Sequence, residues 1–264
     1  MTDLPTTAGE LDPELRSALR RHILTLADSK RVLGIRYSDW LLGSPSIETG
    51  IAASSMAQDE WGHARLLYAM LKDLGEDPVH VEQERAVELW ASVDALDEPV
   101  PDWGALVGIM VAVDGALSVA LEGFAGGRYD PARSRVPKML AEEEFHRDLG
   151  LAWFRRLGSG SAEAAAHLSR AVTGLLPRTL AWLAPEDRPY TLLAEAGIVP
   201  AGTDLLARYR ERWGAALEGA GVDVHGTHPE RSAWDEDRSR GPGHPGLEAV
   251  ERARGDRNRA LFVE

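Results

Sequence analysis

The hydrophobic and polar positions of this chain follow a helical period over most of its length. Apolar side chains recur every three or four residues from about residue 13 to 42, 47 to 74, 103 to 126 and 131 to 157. A capping aspartate followed by proline, Asp12-Pro13, opens the first of these stretches. The pattern predicts four long helices, because no stretch of convincing length alternates with the period of a β-strand.

Further helices and a long connection accompany these four. The second and third helices are joined by an amphipathic segment, residues 80–92, and an acidic turn, residues 94–101, which together indicate a crossover connection. A fifth helix is predicted over residues 162–183, kinked or split at Pro177, and a last one over residues 203–218. The predicted fold is all-α: a four-helix bundle with additional helices.

The composition changes after the last predicted helix. Residues 219–264 are polar, rich in Gly, Pro, His, Asp and Arg, and have no sustained apolar period. We therefore predict three regions, an N-terminal segment (1–13), a helical bundle (14–218) and an irregular C-terminal extension (219–264). The extension is expected to wrap a neighbouring chain or to be partly disordered.

The same short motif, Glu-x-x-His, occurs on two of the predicted helices, at Glu60/His63 and Glu143/His146. Side chains three positions apart leave one face of a helix. About 0.7 such motifs are expected by chance from the glutamate and histidine content, so the repetition alone is weak evidence. Both pairs also lie within the apolar stripes of their helices, which predicts that all four side chains point inward.

Two further ionisable residues share this property. Asp114 lies among the aliphatic residues of the third helix, and Lys30 falls inside the apolar stripe of the first. Buried carboxylates and imidazoles are costly unless they are paired or bind a metal ion. The sequence therefore predicts a metal site in the bundle centre, with five ligands and no separate catalytic side chain: Glu60, His63, Asp114, Glu143 and His146.

Charge and composition narrow the class of protein. The net charge of −13, without a long basic run, argues against nucleic acid or an anionic membrane as a partner. The absence of cysteine excludes disulfides, thiolate nucleophiles, iron–sulfur clusters and cysteine-bound zinc, and makes the cytoplasm the expected compartment. Residues 103–121 are apolar enough to suggest a membrane span, but we interpret them as a buried central helix that carries Asp114.

The predicted ligand set favours oxygen chemistry. Three carboxylates and two imidazoles suit Fe(II), with Mn(II) as another option. Two irons held between four helices can bind and reductively split dioxygen, so oxygenation is the expected chemistry. A ferritin-type iron store is a third class of function, which the large C-terminal addition disfavours.

Several segments resemble a known family. Gln58-Asp-Glu-Trp-Gly-His63, Val113-Asp-Gly115 and Glu142-Glu-Glu-Phe-His146 resemble the iron-site segments of the catalytic subunit of phenylacetyl-CoA epoxidase, in the phenylacetic acid catabolic protein family. Residues 26–40 are more similar to the structural, iron-free subunit of that complex. The resemblance spans about residues 15–213. It implies a ferritin-like fold, oxygen-dependent epoxidation of an aryl-CoA thioester, an external reductase, and a homo- or hetero-oligomer with a related ferritin-like subunit.

The first helix departs from the catalytic pattern. Counting back from Trp40, the position where the catalytic relatives have a glutamate is Lys30. One hypothesis is that the metal beside His63 is weak or absent and a single ion binds near Asp114 and His146. Another is a metal-free scaffold subunit, in which Lys30 pairs with the buried carboxylates and replaces the metal charge. In a third, Lys30 extends to solvent.

Four other residues have predicted roles around the site. Tyr37 and Tyr68 are expected near it, either as redox-active phenols or, as helical spacing more often means, as core residues. Asp59 and Asp148 are candidates to accept a hydrogen bond from the histidines and so orient them.

Overall fold

The computed structural model describes residues 6–256, 258 and 261, and these residues form an all-α protein. Within them the only β-type pairing is two isolated bridges, Thr6 with Tyr129 and Asp235 with Arg240. The predicted all-α class is therefore confirmed. Nine α-helices lie in this part of the chain: α1 (Pro13–Ser38), α2 (Ile47–Tyr68), α3 (Pro78–Glu84), α4 (Trp103–Gly126), α5 (Asp130–Gly158), α6 (Ala162–Leu183), α7 (Arg188–Glu195), α8 (Gly202–Gly219) and α9 (Leu247–Arg254).

Side-chain caps explain where the long helices begin. The Asp12 carboxylate accepts a hydrogen bond from the Leu15 amide at 2.9 Å, and Asp102 does the same for Ala105 at 2.9 Å. Ser46 caps α2 in the same manner. Each cap pairs a backbone N–H that the first turn of a helix leaves without a partner.

The four long helices α1, α2, α4 and α5 form the bundle predicted from the sequence. α1 packs along α2 and α4 packs along α5, while α6 and α8 cover α4, and α7 and α9 contact α1. α4 is long and apolar enough to cross a membrane, but 94% of its most apolar stretch lies inside the protein. It is the buried central helix that the sequence indicated.

Several helix boundaries differ from the prediction. α1 ends at Ser38 rather than near residue 42, and α2 ends at Tyr68, after which a 3₁₀ helix continues to Leu74. α6 is one helix across Pro177, so it is not split there, and the predicted kink stays a prediction. α7 was not predicted because its eight residues are too few to show a period.

The C-terminal extension packs on its own chain. Val222, Val224 and Val250 are buried, and α9 lies against α1. The prediction of contact with a neighbour or partial disorder did not anticipate this contact, which depends on scattered apolar residues and on arginines that reach backbone carbonyls. The division into three regions remains a prediction.

Candidate functional site

The five predicted ligands meet in the middle of the bundle, where α1, α2, α4 and α5 face one another. α2 contributes Glu60 and His63, α4 contributes Asp114, and α5 contributes Glu143 and His146. All five side chains are buried, and none is more than 3% exposed. The helical-phase argument therefore placed each of them correctly, whereas their role as metal ligands remains a prediction.

Lys30 lies at the centre of these residues and is completely buried. Its Nζ is 2.6 Å from Oε1 of Glu143, 2.9 Å from Oδ1 of Asp114 and 3.0 Å from Oε1 of Glu60. One ammonium group thus donates to one oxygen of each of three carboxylates, which uses all three of its N–H bonds. The hypothesis of buried ion pairs is confirmed, and the hypothesis that Lys30 extends to solvent is wrong.

The second oxygen of each carboxylate has a different environment. The Tyr37 hydroxyl donates to Oδ2 of Asp114 at 2.7 Å, and the Ser118 hydroxyl donates to Oε2 of Glu143 at 2.8 Å. Oε2 of Glu60 is buried and has no hydrogen-bond partner among the described residues. Asp114 and Glu143 are therefore held at both oxygens, whereas Glu60 is held at one.

Both histidines turn Nδ1 towards the cluster and Nε2 away from it. For His63, Nδ1 lies 3.1 Å from Oε1 of Glu143, within ion-pair distance but without hydrogen-bond geometry, and Nε2 lies 2.8 Å from Oε2 of Glu142. For His146, Nδ1 lies 3.1 Å from Oε1 of Glu60, and Nε2 lies 3.3 Å from Oδ2 of Asp59. A carboxylate on the outer nitrogen is typical of histidines that bind metal through the inner one.

The cluster can be electrically neutral without a metal ion. Burial alone would lower the pKa of Lys30, but the charges of Asp114, Glu143 and Glu60 outweigh it and raise that pKa well above its usual range. Burial is likewise overcome at His146, where hydrogen bonds to Asp114 and Glu60 raise the pKa to about 11. With both histidines protonated, three positive groups face three carboxylates.

The pKa values of Glu143 and Glu60 are shifted in opposite directions. Burial tends to raise the pKa of Glu143, but Lys30 and the two histidines outweigh it and hold that pKa well below its usual range. At Glu60 burial is the larger effect, and its pKa is raised to about 7 despite Lys30. The Glu60 carboxylate is therefore less stabilised as an anion than that of Glu143, in agreement with its unpartnered Oε2.

The residues fit a pair of metal ions poorly. Glu60, Asp114, Glu143 and His146 each offer one donor atom, and these atoms lie within 4.8 Å of one another, as one ion would require. Metal–oxygen bonds of about 2.0–2.2 Å would, however, put such an ion among the same oxygens that Lys30 already contacts. A single ion fits only if Lys30 moves away, and a pair would need a fourth carboxylate, whereas α1 contributes Lys30 to the cluster.

Of the four other residues predicted around the site, two lie there and two do not. Tyr37 and Asp59 lie at the site as described above, whereas Tyr68 and Asp148 do not. The Tyr68 hydroxyl donates to Asp28, and the exposed Asp148 pairs with Arg147 rather than with a histidine.

Glu142 and Ser118 contact the cluster but were not predicted, although their spacing from two predicted ligands indicates this position. Glu142 precedes the ligand Glu143 by one residue, and Ser118 follows Asp114 by one helical turn. By helical phase, Asp28 lies on the side of α1 away from the apolar stripe. Asp28 is nevertheless buried, because the segment around Ala91 covers that side of the helix and its amide donates to Asp28 at 2.7 Å.

Fold and site together define an all-α bundle protein with a buried cluster of carboxylates and histidines. A family profile described as phenylacetic acid catabolic protein matches residues 6–249, so the chain belongs to that family. This match is longer than the resemblance over residues 15–213 and includes most of the C-terminal extension. The family includes oxygenase subunits, which form multicomponent epoxidase complexes. A search of curated proteins found no match to the chain.

Proposed function

We propose that this chain is a structural subunit of a multicomponent oxygenase of the aryl-CoA epoxidase type, in which the Lys30 ammonium replaces the metal ions of a catalytic subunit. The observation that supports this proposal is the contact of Lys30 Nζ with Glu60, Asp114 and Glu143 at 2.6–3.0 Å. A buried carboxylate requires a compensating positive charge, and here a side chain of the protein supplies it. The bundle can then fold and persist with no metal bound.

A subunit of this kind would contribute through its surface. It would assemble with a related ferritin-like chain that holds the metal, and an external reductase and the aryl-CoA substrate would serve that partner. The family's multicomponent complexes support this assignment. A homo-oligomer of this chain is the alternative assembly.

A second candidate function is a metal-dependent oxygenase component, and the orientation of the histidines favours it. Their inner nitrogens face the cluster, their outer nitrogens are bonded to Asp59 and Glu142, and Oε2 of Glu60 is free to bind an ion. Bound iron would supply oxygen activation, and manganese is the other metal that suits these donors. Lys30 would have to withdraw from the cluster. The residues that would hold the ion are Glu60, His63, Asp114, Glu143 and His146.

Metal analysis after anaerobic incubation with Fe(II) or Mn(II) separates the two candidates. Wild-type protein should retain far less than one ion per chain, whereas Lys30→Glu should bind about one to two, because it restores the fourth carboxylate. Lys72→Glu is the matched control, since Lys72 is exposed and is not part of the cluster.

Two results would count against the proposal. Stoichiometric metal in the wild-type protein would favour the oxygenase candidate. A folded Lys30→Glu protein that gains no metal would show that Lys30 is not at the vacant ligand position. Circular dichroism establishes that each variant is folded before its metal content is interpreted.

A further inference from the structure

The C-terminal segment (residues 219–254) lies across the connector between α3 and α4 (residues 85–102). Arg240 is the main contact and is completely buried. Its guanidinium bonds the Asp97 carboxylate, the Ser92 hydroxyl at 3.3 Å and the Gly241 carbonyl at 3.0 Å. An arginine of the segment is thus inserted into the connector.

A tight turn presents this arginine. The backbones of Asp235 and Arg240 pair with each other at 2.8 and 3.3 Å, which closes the turn between them. Ser239 has a φ of 49° and is the one non-glycine residue with positive φ in the described part of the chain. Such a backbone is uncommon for a residue with a side chain, so the contacts of Arg240 must hold it in place.

The connector side of this contact contains two carboxylates, Asp94 and Asp97, and the buried Arg36 and Arg240 lie beside Asp97. Asp94 and Asp97 are both largely buried, and Asp94 packs so closely on Gly241 that a Cβ there would overlap its carboxylate. Oδ1 of Asp94 and Oδ1 of Asp97 have no hydrogen-bond partner among the described residues. Arg178 lies 3.9 Å from Asp94, but its side chain is 44% exposed, so solvent weakens this pair.

We propose that the C-terminal segment is a clamp on the connector, and that the clamp takes up a proton on the Asp94–Asp97 pair when it closes. It therefore closes more tightly in mildly acidic than in weakly alkaline solution. The unpartnered oxygens support this assignment, since burying a charged oxygen without a hydrogen-bond donor is costly and a proton on that oxygen removes the charge.

The electrostatic surroundings of Asp97 agree with the uptake of a proton in the closed state. Burial raises the pKa of Asp97 to about 6 although Arg240 opposes the change, and burial also raises the pKa of Asp94. The charged groups that face the pair come from α1, the connector, α6 and the C-terminal segment: Arg36, Asp39, Glu98, Arg178, Arg240, His244, Glu248 and Arg252.

The direction of the pH effect follows from the linkage between proton binding and closure of the clamp. In the open state Asp97 is solvated, with a pKa of about 3.9, whereas in the closed state its pKa is about 6. Between these values only the closed state binds the proton, so lowering the pH favours closure. From pH 7.5 to pH 5 the closing equilibrium constant should increase roughly tenfold.

The clamp holds the connector, and the connector in turn contacts the part of α1 next to Lys30. The connector is held from the opposite side by α1, where Asp28 accepts the Ala91 amide at 2.7 Å and Ser29 accepts the Val93 amide at 2.9 Å. Asp28 and Ser29 directly precede Lys30 in the sequence. A closed clamp therefore fixes the connector against the part of α1 that carries the central lysine.

Hydrogen–deuterium exchange of the full chain tests the proposal. After correction for intrinsic exchange rates, peptides from residues 90–97 and 235–250 should be roughly tenfold better protected at pH 5 than at pH 7.5. Peptides from α4 should not share this change. Equal protection at the two pH values, or a matching change in α4, would overturn the proposal.

Three variants identify the groups responsible. Arg240→Gln should open the clamp at both pH values, and Asp97→Asn, which mimics the protonated side chain, should abolish the pH dependence. His244→Gln is the control, because His244 is an exposed imidazole of the clamp itself; it should leave the dependence intact. Loss of the dependence in His244→Gln, or its persistence in Asp97→Asn, would contradict the assignment.

Discussion

Replacing Lys30 with methionine removes the charge at the centre of the cluster while keeping a side chain of similar length. Three carboxylates would then lose the cation from which each accepts a hydrogen bond at 2.6–3.0 Å. Removing one partner of a buried ion pair typically costs about 3–5 kcal/mol, because the remaining charge stays buried without compensation. For a chain of this size the melting temperature should fall by roughly 6–20 °C.

Urea unfolding at pH 7 measures this cost directly. Lys72→Met is the matched control, since Lys72 is exposed, and it should change the free energy of unfolding by less than about 0.5 kcal/mol. If Lys30→Met loses no more stability than this control, the cluster does not depend on Lys30 and the charge argument is refuted.

The pH dependence provides an independent check. Because the pKa of Lys30 is raised in the folded protein, its stabilisation is present below about pH 10.4 and is lost only as the pH rises through the folded value. The pKa of Glu143 is lowered, so its contribution is lost as the pH falls below about 4.3 towards the folded value. The stability difference between wild type and Lys30→Met should therefore narrow as the pH falls, starting near pH 7, because Glu60, whose pKa is about 7, already takes up protons there and loses the charge that Lys30 compensates.

Three further predictions concern the surroundings of the cluster. Tyr37→Phe leaves a buried carboxylate oxygen without its donor and should cost about 1–3 kcal/mol in urea unfolding; no loss would mean that water replaces the hydroxyl. Burial lowers the pKa of His22 to about 4, so from pH 7.5 to pH 5 wild type should lose about 2 kcal/mol relative to His22→Phe, and parallel stability curves would refute this. Gly34→Ala places a methyl group against Trp61 and should cost about 1–3 kcal/mol, whereas Gly62→Ala, with open space around it, should stabilise by about 0.5–1 kcal/mol; equal effects would contradict the packing.

Periodicity was sufficient to predict the bundle and the inward side chains. α1, α2, α4 and α5 are long enough for an apolar stripe to be recognised, and a stripe also shows which polar residues lie inside it. Glu60 and Asp114 were found by this argument. It could not decide between the three hypotheses for Lys30, because helical phase gives a direction and not a distance.

The contacts that the sequence did not reveal all involve non-periodic segments. Asp28 is buried by the connector, and Arg240 is buried by a turn that carries no apolar pattern. In both cases a charged side chain anchors an irregular segment, Asp28 through the Ala91 amide and Arg240 through the Asp97 carboxylate and the Ser92 hydroxyl. Such contacts depend on the tertiary path of the chain, which local patterns do not determine.

NMR of the lysine ammonium groups in ¹⁵N-labelled protein tests most directly whether a charged Lys30 occupies the centre of the cluster in place of metal. The lysines of the chain are Lys30, Lys72 and Lys138, so assignment requires only Lys30→Met. We predict that the Lys30 signal stays protonated above about pH 10.4, exchanges slowly with water, and is unaffected by stoichiometric Mn(II). A Lys30 signal that titrates with those of the exposed lysines, or that disappears when Mn(II) binds, would contradict the account.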